Sequence, residues 1–359
     1  MDVGSLKAAI SAEIDAWAAQ QPLPLPVPPT PAPPPPVPVP APPGASSGPF
    51  QPGTDITTQL VGLLTEFGQQ GGGEVRLGPG AYQISGRIPL FSGVSLLRST
   101  GTKLAYVGDP SLPAILESPS EDCLQDCRVD VHIDEGAFAG DVVRLHSGFM
   151  NHVRVRGFGQ GGKSRLLNIK ADSTGGQSPD GSRNFVGNVV DAQHWGACNV
   201  FANVEGLQNG FNGQPQVVTL NEFDGWFGAN CVNRGVTAPA WADNNVCTGS
   251  HRFSITGQNG IGIAVNEGNP TVETGVYAWL WEALAIDTWG AVPNGPLGRI
   301  GVYMGASKLM QCDSFHQQPP AERGALVLHP NAISVYFRGR FGNDNQVQID
   351  ERDVQAILV

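Results

Sequence analysis

The chain has 359 residues, including 47 Gly and 30 Pro, with 15% charged residues and a formal net charge of −11. That length exceeds one ordinary globular core, and the composition argues against a helical protein and for many turns between short strands. The acidic balance lacks the Lys/Arg surface that phosphate binding needs, so no nucleic-acid partner is expected.

Residues 3–17 carry Val3, Leu6, Ile10, Ile14 and Trp17 at steps of three and four, the spacing of an amphipathic helix. Fifteen residues are marginal for an isolated helix, so the stripe wants a partner. Residues 1–21 are therefore expected to anchor the chain to a larger assembly, the alternatives being a short coiled coil with copies of itself or folding back on the main domain. Residues 22–43 hold 14 prolines in 22 positions and predict an extended polyproline II rod. At about 3.1 Å per residue such a rod spans on the order of 70 Å. GASSG at 44–48 ends this linker, which as a whole covers 22–48. The N-terminus has no apolar core preceded by basic residues, so neither a secretory signal nor a membrane insertion is expected.

From residue 49 to 359 the composition changes to Gly, Asn, Val and Phe in short apolar runs. Thr54-Asp55 can cap a helix over about 54–68, with Ile56, Leu60, Leu63, Leu64 and Phe67 on one side and the Gly71–Gly73 run beyond it. Strand-turn passages follow: EVRLGPGAYQISG, RIPLFSGVSLLRSTGTKL, DVVRLHSG, MNHVRVRGFG, SRLLNIKAD, NFVGNVVDA, GIGIAV, GRIGVYMG, GALVLHP and AISVYFRGR. Sandwich or barrel strands have the same grammar. A single helix at the start suits the open end of a hydrophobic column, however. Asn151, Asn168, Asn184, Asn188, Asn199 and Asn203 stand at strand ends, where side-chain amides can bond along a coil axis. The predicted fold is all-β, a right-handed parallel β-helix with coils over about 74–345 and a C-terminal end at 346–359.

The run GTDITTQLVGLLTEFGQQGGGEVRLGPGAYQISGRIPLFSGVSLLRSTGTKL resembles the N-terminal cap and first coils of pectin-lyase-like right-handed β-helices. There a capping helix, a Gly-Gly-Gly turn, a V-x-L-x-P-G-x-Y strand and an SGV-x-L strand follow in this order. GDVVRLHSGFMNHVRVRGFG (140–159) is similar to a later coil. The likeness covers roughly residues 50–340, and within the fold it is nearest to bacteriophage tailspikes. It implies a small virion-binding element joined to tail or capsid, a linker, and a β-helix body in a homotrimer facing bacterial surface polysaccharide. The Asn-Thr-Asp, Gly-His-Gly and Arg-Ile-Lys motifs of polygalacturonase-type members are absent, so the resemblance supplies no catalytic position. The corresponding localisation is the virion, assembled in the host cytoplasm.

Two stretches suggest chemistry. VVDAQHWGAC places Asp191 four residues before Trp195, and LNEFDGWFGA places Glu222 four before Trp226, both pairs offset by 31 residues. If one coil plus the loop EGLQNGFNGQPQ (205–216) accounts for the offset, Asp191 and Glu222 sit one strand spacing apart, about 4.8 Å. Carboxylates about 5–5.5 Å apart suit a retaining glycosidase, with Trp195 and Trp226 stacking on sugar rings. Asp224 shares the strand face of Glu222 and is an alternative partner. Further on, Trp279, Trp281, Glu282, Asp287 and Trp289 could line a saccharide groove or pack between subunits. Arg154 and Arg156 follow His152 on one face, but without a calcium-type acidic cluster a lyase is the weaker chemistry. Cys123 and Cys127 lack a second pair to form a zinc site, and Asp243 and His251 near Arg252 read as ordinary surface. No metal and no cofactor are expected, and the six cysteines read as reduced buried thiols.

The expected function is a tailspike or fibre that binds and hydrolyses surface polysaccharide. The alternative is a non-catalytic receptor-binding or capsid-decorating spike of the same architecture.

Overall fold

In a computed structural model the described residues are 50–176, 182–210, 213–288, 299–317, 324–329, 331–341, 347–349 and 356–358. The anchor and linker expected over 1–48 lie outside them, as does Trp289.

Every strand pairing is parallel, and strands from one coil bond to strands of the coils before and after it. The polypeptide therefore winds as a right-handed parallel β-helix. Its longer strands fall on three faces, and a ladder of two-residue strands, from Leu124–Gln125 through Gly148–Phe149, Phe185–Val186 and Val218–Thr219 to Ala242–Asp243, runs just before the first. The first begins with Gly73–Leu77, Val94–Arg98 and Arg128–Gly136, and continues through His152–Gly159, Val189–Gly206, Glu222–Ala238 and Val246–Ile255 to Tyr277–Asp287, Lys308–Gln317 and Ile333–Phe341. The second starts from Gly80–Ile84 on Thr102–Tyr106, which then pairs with the far half of Arg128–Gly136. The third runs through Ala114–Glu117, Asp141–Leu145 and Arg165–Ala171 to the ends of the long strands, then Ile261–Val265 and Ile300–Met304. The two longest strands, of 18 and 17 residues, cross from the first face to the third without a break.

Period-two alternation sends one side chain of each pair inward. On the first face Val75, Leu96, Val129, Val153, Val190, Phe223, Cys247, Trp281, Cys312 and Phe337 stack coil on coil, all buried. This is a column of core rather than a spherical one, so its size grows with the number of coils. The open N-terminal end is covered by the helix Thr57–Gln69, which buries Leu60, Leu64 and Phe67. Ile56 is its N-cap, and the Asp55 carboxylate accepts the Thr57 N–H at 2.9 Å, so the predicted Thr54-Asp55 capping falls on Asp55. Gly71, at φ +83°, turns the chain out of the helix.

A residue with positive φ opens the first face in coil after coil: Gly93, Asp126, Met150, Gly187, Leu220, Asn244, Ala278, Leu309 and Ser334. The residue after it is Asn in four successive coils, and these amides form the ladder expected at strand ends. Asn151 Nδ2 donates to Asn188 Oδ1 at 2.8 Å, Asn188 to Asn221 at 2.9 Å and Asn221 to Asn245 at 3.0 Å. Each amide is buried, and its second N–H is satisfied by a carbonyl such as Leu124 O or Gly148 O. Asn168 and Asn203 make a second ladder on the third face, with a 3.1 Å bond extended by Thr237.

Candidate functional site

The coil between Asp191 and the next strand differs from the expected 31 residues. Val189 pairs with Glu222, and Asp191 pairs with Asp224, a step of 224 − 191 = 33. Asp191 therefore lies beside Asp224, the alternative partner, and Glu222 is one outward position away along the strand. The loop invoked to lengthen the coil is present, closed by an antiparallel bridge between Leu207 and Gln216.

Past Asp224 the two strands lose register. One residue, Ala192, stands opposite two, Gly225 and Trp226, before Gln193 pairs with Phe227. Such a β-bulge reverses the parity of everything after it. Trp226 consequently follows Ala192 into the core, 0% exposed, with its Nε1–H on Val190 O at 2.9 Å. It cannot stack on a sugar. Trp195 keeps the outward parity and is 51% exposed. Its ring rests on Phe227, with centroids 4.6 Å apart. The expected pair of tryptophans is thus a Trp–Phe pair, visible only once the bulge is known.

Trp279 and Trp281 are likewise core. They stack 6.0 Å apart, Trp279 donates its Nε1–H to Ala242 O, and both are buried. The substrate-binding role read for them does not fit this placement. Glu282 does face outward, and its carboxylate accepts the Gly249 N–H at 2.7 Å.

The carboxylates divide into two groups. Asp191 is nearly covered and fully engaged: Arg154 Nε donates to Oδ2 at 2.8 Å, while Arg156 holds both oxygens at 2.8 and 3.1 Å. A carboxylate whose oxygens are both committed to guanidinium groups is poorly placed to attack a sugar. Glu222, Asp224 and Glu282 have no ion pair among the described residues and converge on Thr248–Gly249. Thr248 Oγ1 donates to Glu222 Oε1 at 2.9 Å, and a Cβ added to Gly249 would stand 3.2 Å from Asp224 Oδ1. Gly249, at φ +74°, leaves that spot open. Arg252, on the same strand, is neutralised by Asp287 at 2.7 Å. Arg252 and Phe227 occupy one register position, three residues beyond Asp224 on one strand and four beyond Thr248 on the other. The aromatic platform and the acids therefore share one outer surface, roughly 10 Å apart along the strands.

The helix interior also holds ionisable groups that the sequence reading left out. His194 and Glu135 meet inside the column, Nε2 to Oε1 at 2.6 Å, 0% and 1% exposed. They lie two coils apart, and Gly157 between them supplies the missing side-chain volume. Burial opposes charge on His194, but Cys198 and Glu135 more than offset it and raise its pKa to about 10. His251, expected at the surface, is instead fully buried among Trp226 and Trp281. Burial dominates there and depresses its pKa to about 4. All six cysteines are free thiols and buried, as expected of small hydrophobic side chains.

No protein-family model matches the sequence, and no curated protein matches it. Among solved structures, the chain is similar to a tailspike protein double mutant of E. coli bacteriophage HK620, at 12% identity and a TM-score of 0.37, over 86% of this chain and 62% of that one. It is also similar to the mannuronan C-5 epimerase AlgE4 A-module of Azotobacter vinelandii, at 13% identity and a TM-score of 0.29, over 87% and 96% of the two chains. The chain thus spans less than two thirds of the tailspike. The chemistry must be read from its own side chains. No described helix is long and apolar enough to cross a membrane.

Proposed function

We propose that the protein is a tailspike or fibre whose β-helix flank binds bacterial surface polysaccharide. One observation carries this reading: the half-exposed Trp195, seated on Phe227, on the same outer surface as three carboxylates that form no ion pair among the described residues. An aromatic face matches the C–H face of a pyranose, and exposed carboxylates accept its hydroxyls. A long straight flank built of repeated coils suits an extended polymer. Residues 1–21 join this body to a tail or capsid protein, 22–48 space it from the particle, and three copies assemble.

For hydrolysis, Asp224 replaces Asp191 as the first acid to test, with Glu222 and Glu282 as its partners around Gly249. The non-catalytic reading draws support from the engagement of Asp191 by two arginines. Both are tested by incubating the protein with purified O-antigen or capsule, measuring retention and newly formed reducing ends. Binding lost on Trp195→Ala, with reducing ends abolished by Asp224→Asn, is the expected result. Retention without reducing ends leaves the binding spike, and no retention of any surface polysaccharide defeats the proposal.

A further inference from the structure

Among the six buried thiols, Cys198 and Cys231 stand apart. They are direct register partners on adjacent coils, with Sγ atoms 4.0 Å apart. Parallel neighbours lie about 4.8 Å apart at the backbone, within the range that a disulfide spans. The ladder is irregular on both sides of the pair, between His194 and Ala197 and between Cys198 and Val200. A regular sheet would resist the small approach that bond formation needs, whereas these irregularities leave the two residues room to move. By contrast, Cys247 and Cys312 are separated by a whole coil, with Trp281 registered between them.

We propose that Cys198 and Cys231 are an oxidation site, forming an intrachain disulfide that ties two successive coils together when a peroxide reaches them. One thiol, as thiolate, attacks a peroxide oxygen and becomes a sulfenic acid, releasing hydroxide. The second sulfur then attacks the sulfenic sulfur and water leaves. With hydrogen peroxide the sum is two thiols and one peroxide giving one disulfide and two waters, so the peroxide takes up both electrons. The local charges set the pace. Cys231 and burial hold the Cys198 thiol well above its ordinary range, while the protonated His194 beside it pulls the other way. The reaction is therefore slow, and it is selective over Cys247 and Cys312, which Trp281 keeps a coil apart.

The test oxidises the full-length folded protein with hydrogen peroxide and maps its peptides without reduction. The expected product is one peptide pair linking Cys198 to Cys231, 2 Da lighter than the two thiols and separated again by dithiothreitol. The oxidised protein should unfold on the order of 5 °C higher, because the link closes a loop of about 30 residues. Cys231→Ser should lose the shift and leave Cys198 as a higher oxide. Mapping of the unsubstituted protein decides the matter even where that variant folds poorly. Four outcomes overturn the proposal: both thiols unmodified after prolonged oxidation, both carried to sulfinic acid, a link to another cysteine, or a link without gain in unfolding temperature.

Discussion

Two buried histidines, in neighbouring parts of one column, live in opposite chemical worlds. His194 is held by the Glu135 carboxylate across a coil that contributes only Gly157, and it stays protonated. His251 sits edge-on to Trp226 and Trp281, at 6.3 and 5.1 Å between ring centroids. It accepts the Trp226 N–H at Nδ1 and gives its Nε2–H to Thr248 O, a pattern only the neutral ring can make. The first region uses charge to hold space that glycine vacates; the second fills it with aromatic volume. Interior position alone does not decide a side chain's ionisation; its partners do.

The largest expected effect breaks the second region. Trp226 is fully buried against Phe201 and Phe223 and uses the only polar hydrogen of its side chain. Trp226→Ala should cost about 3–5 kcal/mol, read as a lowered denaturation midpoint. A similar loss, about 3–5 kcal/mol, should follow Glu135→Leu, because it strands a buried charge on His194. The sharper variant is Glu135→Leu with His194→Leu. If the pair only holds space, this double substitution restores most of the loss. If it stays as damaging as the single change, charge has a role beyond filling.

Acid and base probe the two regions separately. His251 has a pKa near 4 in the folded state against 6.5 when unfolded, so the unfolded chain binds more protons between those values. Its contribution is complete above about pH 6.5 and lost progressively as pH falls towards 4, by about 3 kcal/mol in all. His194, raised to about 10, acts in reverse: its contribution is complete below about 6.5 and lost as pH rises towards 10. Stability against pH should therefore peak near 6.5. His251→Gln should flatten the acid limb and leave the alkaline one, and urea midpoints between pH 4 and 10 check both.

The contrast also explains what the sequence could disclose. The coil grammar was legible because inward alternation, Gly-rich turns and strand-end Asn are local features that each coil repeats, and Asn151, Asn188, Asn168 and Asn203 do bond along the axis. The acids were legible only as residue types. Asp191 and Glu222 failed as neighbours because coil lengths vary with loops, and the first-face steps run from 21 to 37 residues (Val75 to Leu96, Val153 to Val190). Trp226 failed as a sugar platform because a single two-against-one bulge inverts side-chain parity, and nothing local to EFDGWF announces it. Trp279 and Trp281 alternate correctly, but which face is inward depends on a register set coils away.

Smaller effects follow at the ladder and the platform. Asn221→Ala removes two amide donors and the acceptor for Asn188, so buried backbone and side-chain groups on two coils lose partners. A loss of about 1–3 kcal/mol is expected, more than an exposed Asn would give. Trp195→Ala removes a ring that is half in water, and its stability effect should stay within about 0.5 kcal/mol. The two tryptophans that share a sequence pattern should thus separate cleanly: substitution of Trp226 should lower the denaturation midpoint, while substitution of Trp195 should leave the midpoint and, on the proposed function, abolish polysaccharide retention. Should Trp195→Ala destabilise as Trp226→Ala does, its ring is structural after all. The platform would then have to be sought elsewhere on the flank.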